Sequence, residues 1–256
     1  MLKKLFVIFL RKLDVCSAIA VRLTMITGKS NVPMHPKHLV KSKIWFINHL
    51  KKNDIVLDLG CNSGQISMSI ARNVKQVFGL EIDAVLVKRA QNEARINKIK
   101  NLEILQGDAN IKLPFKNNYF DKVICSDVLE HLHKRNLALA EIKRVLKRGG
   151  ILFLVTDNPN TTWKQFQKSQ GQFYYADKDH KYEYPKKEIL KLLKLNKFNT
   201  LSVNNVTYDT PFKGLIDITG GISLTAYKKL KQWRENMVIK RPKDTTGYRI
   251  VAQKFK

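Results

Sequence analysis

The 256 residues carry 47 Lys and Arg against 21 Asp and Glu, a formal charge of +26, with 44% hydrophobic and 9% aromatic content. Such a chain can bury one substantial core, or a core with an appendage, and fits a globular protein. Cys16, Cys61 and Cys125 are scattered and form no paired spacing, which argues against a disulfide framework or a zinc site and for a reducing, cytoplasmic setting.

The charge is unevenly spread. Residues 1–53 hold 11 basic and one acidic side chain, residues 158–256 hold 20 and 8, and residues 54–157 hold 16 and 12. The basic flanks imply attraction to an anionic partner, either weak non-specific RNA contact or an anionic membrane surface. A lysine-rich solvated surface accounts for them equally well, since arginine would be favoured for bidentate phosphate recognition.

In chain order, the apolar run Leu5–Leu10 is stopped by Arg11 and Lys12. It is too short to be a transmembrane segment. Phe6, Phe9, Leu13, Ala20 and Leu23 recur at helical spacing and predict an amphipathic helix, packed on the domain or lying at a membrane surface with Lys3, Lys4, Arg11 and Lys12 near lipid phosphates. Residues 28–33 read as a linker. Pro36, Leu39, Ile44, Trp45, Ile47 and Leu50 predict a helix running to about Lys51. His35 and His38 at its start, like His131 and His133, lack further nearby ligands, so no metal is expected.

Residues 54–67 are the stretch around which the rest is organised. Ile55-Val56-Leu57 is a buried-strand run ending at Asp58, followed by Gly60 and Gly64 and then by Ile66, Met68 and Ile70 in helical rhythm. Strand, glycine turn and helix aim backbone N–H groups at a ligand. The dinucleotide fingerprint needs glycines where Asn62 and Gln65 stand, and no Gly-Lys-Ser/Thr follows, so NAD(P) and P-loop readings are weak. Four further runs, 76–81, 102–105, 120–125 and 151–155, alternate with helical patterns, the last helix closed by Gly149-Gly150. This order predicts an α/β fold with a doubly wound, mostly parallel sheet. Ligands in such sheets sit beyond the strands' C-terminal ends, where Asp58, Glu81, Asp108 and Asp127 all fall.

Residues 158–184 are long, polar and aromatic, with Trp163, Phe173, Tyr174, Tyr175, His180, Tyr182 and Tyr184; such a connection predicts a lid or binding loop, here closing with the His35–His38 turn over the reacting group. A helix from Pro185 to Leu195, a strand at 200–207, a second insertion with a Gly220-Gly221 hinge and a helix Leu224–Glu235, and a last strand at 248–253 complete the reading.

The four acid-bearing strand ends, the stretch from Asp108 through Ser126-Asp-Val-Leu-Glu-His131-Leu, and Glu141-Ile-Lys-Arg-Val-Leu-Lys-Arg-Gly-Gly together resemble the small-molecule branch of class I S-adenosylmethionine-dependent methyltransferases. The likeness is strong over about residues 52–157, looser to about 195, and absent from 1–50 and 209–246. It implies a Rossmann-like sheet of seven strands with the last antiparallel. The domain would then span 51–256 with insertions 158–184 and 209–246, after an N-terminal helical extension, 1–50. By motif position, Asp58, Gly60, Cys61, Asn62 and Gly64 are expected around the methionine part of S-adenosyl-L-methionine. Glu81, with Ile82, falls on the ribose hydroxyls, Asp108 and Ala109 on the adenine edge, and Ser126 and Asp127 beside the methionine part. His131 and then His180 are the candidate general bases, histidine having a suitable ordinary pKa. Asn62 stands where the family usually has Gly, and Arg148 where it usually has Pro. The function implied is methyl transfer to a small-molecule or lipid-linked acceptor in the cytoplasm, possible contact with a membrane surface included. The alternatives are an RNA methyltransferase using the basic flanks and a non-catalytic cofactor-binding module.

Overall fold

Ile55–Leu59 forms strand β1 because a run of β-branched and Leu residues can bury both faces. Val56 sides with one core layer and Leu57 and Leu59 with the other. This strand lies near the middle of the sheet. The computed structural model describes residues 5–6, 8–9, 16–40 and 44–255. Lys3, Lys4, Arg11, Lys12 and Leu13, which carry part of the expected amphipathic helix, lie outside the described residues.

The chain divides into two compact units. The sheet unit comprises Ile44–Asn158, Ala176–Asn204 and Gly247–Lys256. The helical unit comprises Met1–Lys43, Pro159–Tyr175 and Asn205–Thr246.

In the sheet unit, β1 is followed by helix α3 (Gln65–Ala71), β2 (Gln76–Glu81), α4 (Ala84–Ile96), β3 (Leu102–Gln106), β4 (Phe120–Ser126), α5 (Arg135–Val145) and β5 (Leu146–Asp157). Helix α7 (Lys186–Leu195), β6 (Phe198–Asn205) and β7 (Gly247–Lys254) follow. The seven strands are ordered β3-β2-β1-β4-β5-β7-β6. β1 pairs in parallel with β2 and β4, placing Asp58 opposite Gly79 and Ile124, while β7 runs antiparallel to β5. The strand order reverses between β1 and β4, and crevices in doubly wound sheets open at that reversal. Period-2 alternation carries through: Leu152 and Leu154 join the larger core with Leu129, Leu139 and Phe198, and Phe153 joins the smaller one, stacked on Phe46 at 4.7 Å between centroids. Cys61 and Cys125 are buried free thiols.

The helical unit contains α1 (Cys16–Ile26), α2 (Pro36–Leu39), α6 (Thr162–Ser169), α8 (Lys213–Ile222) and α9 (Leu224–Lys240). Ala20 is fully buried. A second core joins Val40, Ile216 and Tyr227.

Four expectations change. The helix foreseen up to Lys51 ends at Leu39, because Val40 takes an extended conformation (φ −97°, ψ 111°); a three-residue 3-10 turn, Ile47–His49, is all the helical structure that precedes β1 among the described residues after it. Gly149-Gly150 does not close α5. The helix stops at Val145, and the glycines lie inside β5, where Gly149 has φ +72°. Gly220-Gly221 is no hinge but part of α8: a Cβ on Gly220 would stand 2.4 Å from Cβ of Pro36, and one on Gly221 2.6 Å from Cβ of Leu23. Residues 158–184 are not one loop. Thr161 caps α6 by accepting the N–H of Lys164, residues up to Tyr175 join the helical unit, and Ala176 onward joins the sheet unit.

Candidate active site at the strand ends

Beyond the C-terminal ends of β1 to β4 the sheet unit encloses a cavity of about 390 Å³, within the usual range for small-molecule sites. Its wall is built by the turns that follow the strands. After β1, Gly60 takes φ +72°, and a Cβ there would lie 2.4 Å from Val128 Cγ2, so only glycine fits. The N–H groups of Gly60 and Cys61 both donate to the Leu80 carbonyl, binding this turn to the end of β2. Asn62 follows at φ +50°, a left-handed conformation that Asn tolerates.

Glu81 ends β2. Its Oε2 accepts the Asn62 N–H at 2.9 Å, and Oε1 accepts those of Ile82 and Asp83 at 2.8 and 3.0 Å. Three backbone donors orient the carboxylate. Two oxygens carry about four acceptor positions, so capacity remains for a ligand's hydroxyls. After β3, Asp108 Oδ1 accepts from the Asn110 backbone and side-chain amides, and Asn110 Oδ1 in turn accepts the N–H groups of His133 and Lys134. After β4, Asp127 takes φ +55° and receives Ser126 Oγ at 3.2 Å.

Gly60, Asn62, Glu81, Ile82, Asp108, Ala109, Asp127 and His131 all line this cavity. Cys61, Gly64 and Ser126 are not in its lining; Gly64 begins α3 at φ +75°. Asp58 lies behind the wall, 2% exposed, accepting Ser67 Oγ at 2.5 Å. Burial pushes its carboxyl up to about 6, against the pull of the Ser67 bonds. Burial likewise pushes the Cys61 thiol up.

His180 is outside the cavity lining but adjoins it through His131, the two rings meeting edge-on at 4.6 Å between centroids. It is 9% exposed, and its Nδ1 lies 3.0 Å from Glu183 Oε1 and 3.8 Å from Asp157 Oδ2. Burial opposes charge on this imidazole, but the Glu183 bond and the charges of Asp157, Glu183 and Asp177 prevail and raise its pKa. The loop is anchored by backbone bonds: Lys181 and Tyr182 donate to the Glu130 carbonyl, and Tyr184 donates to that of Asp157.

Sequence reasoning passed over Asn110, Val128 and Leu132, which line the cavity, and Glu130, which lies between them. Glu130 is fully buried; burial, then the charge of Asp127, pushes its carboxyl up to about 9. Glu130 stands within the stretch Ser126–Leu132, where nothing local marks it as different from a helix-surface acid.

Residues 57–154 match the family model described as a methyltransferase domain. Over these residues the chain is similar to a methyltransferase domain. Among similar proteins, a demethylmenaquinone methyltransferase from Lactiplantibacillus plantarum is 34% identical over 116 residues, 44% of this chain and 49% of that one. An uncharacterized methyltransferase from Schizosaccharomyces pombe is 36% identical over 114 residues, 41% of each chain. The match thus spans less than half the length of these curated relatives. A solved structure of a SAM-dependent methyltransferase from Methanosarcina mazei superposes with a TM-score of 0.60 at 21% identity, over 84% of this chain and 99% of that one, which shows the fold. The strand-end cavity suits a nucleoside-bearing cofactor such as S-adenosylmethionine. The glycine turn leaves room for close backbone approach, and the Glu81 carboxylate is pre-oriented with acceptor capacity to spare.

The helical unit has a cavity of its own, about 310 Å³, lined by Trp163, Phe166, Tyr208, Phe212 and Arg241 among others. No helix among the described residues is long and apolar enough to cross a membrane.

Proposed function

We propose that the protein transfers a methyl group from S-adenosyl-L-methionine to a small-molecule or lipid-linked acceptor. The observation that carries this reading is Glu81: a carboxylate held by three backbone N–H groups at the rim of the cavity, its remaining lone pairs suited to a ribose diol. Asp108 and Ala109 would meet the adenine edge. Gly60 and Asn62, with Asp127 across from them, would bound the methionine part, and Asp58, Cys61, Gly64 and Ser126 would support that wall from behind. The bound cofactor supplies an activated sulfonium methyl. What remains for the protein is to align an acceptor atom and exclude water, and proximity can supply most of the acceleration. His131, which lines the cavity, would take a proton from a hydroxyl or ammonium acceptor. His180 backs it, ring against ring.

Two measurements test this. Calorimetry on the full chain should show binding of S-adenosylmethionine and S-adenosylhomocysteine but not NAD, with Glu81→Ala weakening it by about 1.5–3 kcal/mol, the usual size for bonds to a charged group. Incubation of a cell extract with methyl-labelled cofactor should place label in the lipid or small-molecule fraction. Tight NAD binding, or indifference to Glu81→Ala, refutes the cofactor assignment; label in RNA alone would favour an RNA methyltransferase that uses the basic flanks.

A further inference from the structure

Behind His131, three side chains far apart in sequence converge. Glu130 comes from the turn after β4, Asp157 is the last residue of β5, and His180 sits in the loop before α7. One donor atom from each lies within 4.8 Å of the other two. β4 and β5 are neighbouring parallel strands, with Ser126 opposite Val155, so their C-terminal ends bring Glu130 and Asp157 together. The loop holding His180 is tied to those two residues by backbone bonds from Lys181, Tyr182 and Tyr184. The arrangement is therefore fixed by main-chain structure rather than by side-chain chance.

Two further observations point to a bound cation. Glu130 is fully buried, and neither of its carboxylate oxygens finds a partner in the protein. Buried polar groups are nearly always satisfied, and an orphaned acid asks for a cation or a proton. In addition, the His180 ring is held by the buried carboxylate of Glu183, which also accepts the Ala176 N–H. A second carboxylate of this kind orients the imidazole of metal-binding histidines.

We propose that Glu130, Asp157 and His180 form a binding site for one divalent transition-metal ion. One imidazole and two carboxylates suit zinc or manganese. Donors bound tetrahedrally to one ion at about 2.0–2.2 Å stand about 3.3–3.6 Å apart, so donors within 4.8 Å of one another close on an ion with side-chain shifts of about 1 Å or less. Three protein ligands leave at least one coordination position open. The proposal stands on this cluster alone and not on the methyl-transfer reading.

The test uses the full, untagged chain, stripped with chelator and dialysed against zinc, manganese or cobalt chloride. We expect about one equivalent retained per chain, a cobalt visible spectrum typical of mixed nitrogen–oxygen ligation, and a rise in melting temperature on loading. Glu130→Gln and His180→Ala should each weaken retention at least 100-fold, whereas His35→Ala, remote in sequence, should not. Circular dichroism and cooperative urea unfolding of Glu130→Gln, followed separately, report that the sheet unit is folded. Should that variant fail to fold, Asp157→Asn takes its place, and the wild-type stoichiometry and spectrum decide by themselves. Retention well below one equivalent, or equal retention by wild type and the folded variant, would overturn the site and leave Glu130 as a protonated buried acid. Neither result touches cofactor binding, so the two readings fail separately.

Discussion

Asp58 shows how a strand-end acid serves the fold before it serves a ligand. The apolar run Ile55-Val56-Leu57 and the glycine turn place it, and both signals are local enough to read directly from the sequence. That its side chain would turn away from the cavity to Ser67 was not legible, because the helix supplying Ser67 folds back over the strand only in three dimensions. Its titration gives a test. With the carboxyl near 6 in the fold and 3.8 as the ordinary value, the folded state holds the proton more tightly than the unfolded state between those limits. Stability contributed by this group is therefore lost as pH rises from about 4 to about 6, by at most about 3 kcal/mol. Asp58→Asn keeps an acceptor for Ser67 and cannot ionise. In urea titrations followed by the fluorescence of Trp45, which packs against Phe153 in the same unit, wild type should lose stability relative to Asp58→Asn over that window and run parallel to it above about pH 7. Curves parallel throughout would show that Asp58 titrates normally. Glu130 is the opposite lesson: its sequence neighbours say nothing, since the residues that give it meaning, Asp157 and His180, lie 27 and 50 positions further on.

Among the elements, those with strong periodicity were legible: five parallel-type runs and the helices between them, α7 after Pro185, and α9 from Leu224. Two of the errors share one cause, the use of glycine as punctuation. Gly149-Gly150 bends the start of β5, and Gly220-Gly221 sits within α8 because Pro36 and the backbone of Ala20 come too close for any side chain. Close packing, not flexibility, selected Gly220 and Gly221. Ala at position 220 would gain about 1 kcal/mol of helix propensity. It would also place a Cβ 2.4 Å from Pro36 and 2.8 Å from Tyr227, an overpacking that costs about 1–3 kcal/mol. Gly220→Ala should thus lower the urea midpoint of the helical unit, read from Trp233 in a variant keeping that tryptophan alone. A raised midpoint would mean that α8 shifts freely and that the glycine is a matter of helix propensity alone.

For the whole molecule, the sheet topology followed from strand order, whereas the division into two units did not, since the helical unit is assembled from three separated stretches. The charge of +26 also belongs to this scale. Lysines spread along the chain attract phosphate backbones without reading bases. Binding to poly-U is expected to be weak, to fall steeply and log-linearly with salt, and to be the same for unrelated sequences. A filter-binding series from low to physiological salt checks this. Sequence-selective binding that survives high salt would instead identify RNA as the acceptor.

The pairing of α1 with α8 also bears on how the protein is made. The Thr27 hydroxyl donates to the Gly221 carbonyl across 194 residues of chain, and Leu23 packs against Gly221 itself. A ribosome adding about 5–20 residues per second takes roughly 10–40 seconds to travel from one to the other. Through that interval, Ala20 and Leu23 have been synthesised and their partner has not, while β1 to β5 emerge in order and can begin to pair. Helix α1 is thus made long before α8 and buries its apolar face against it only late in synthesis.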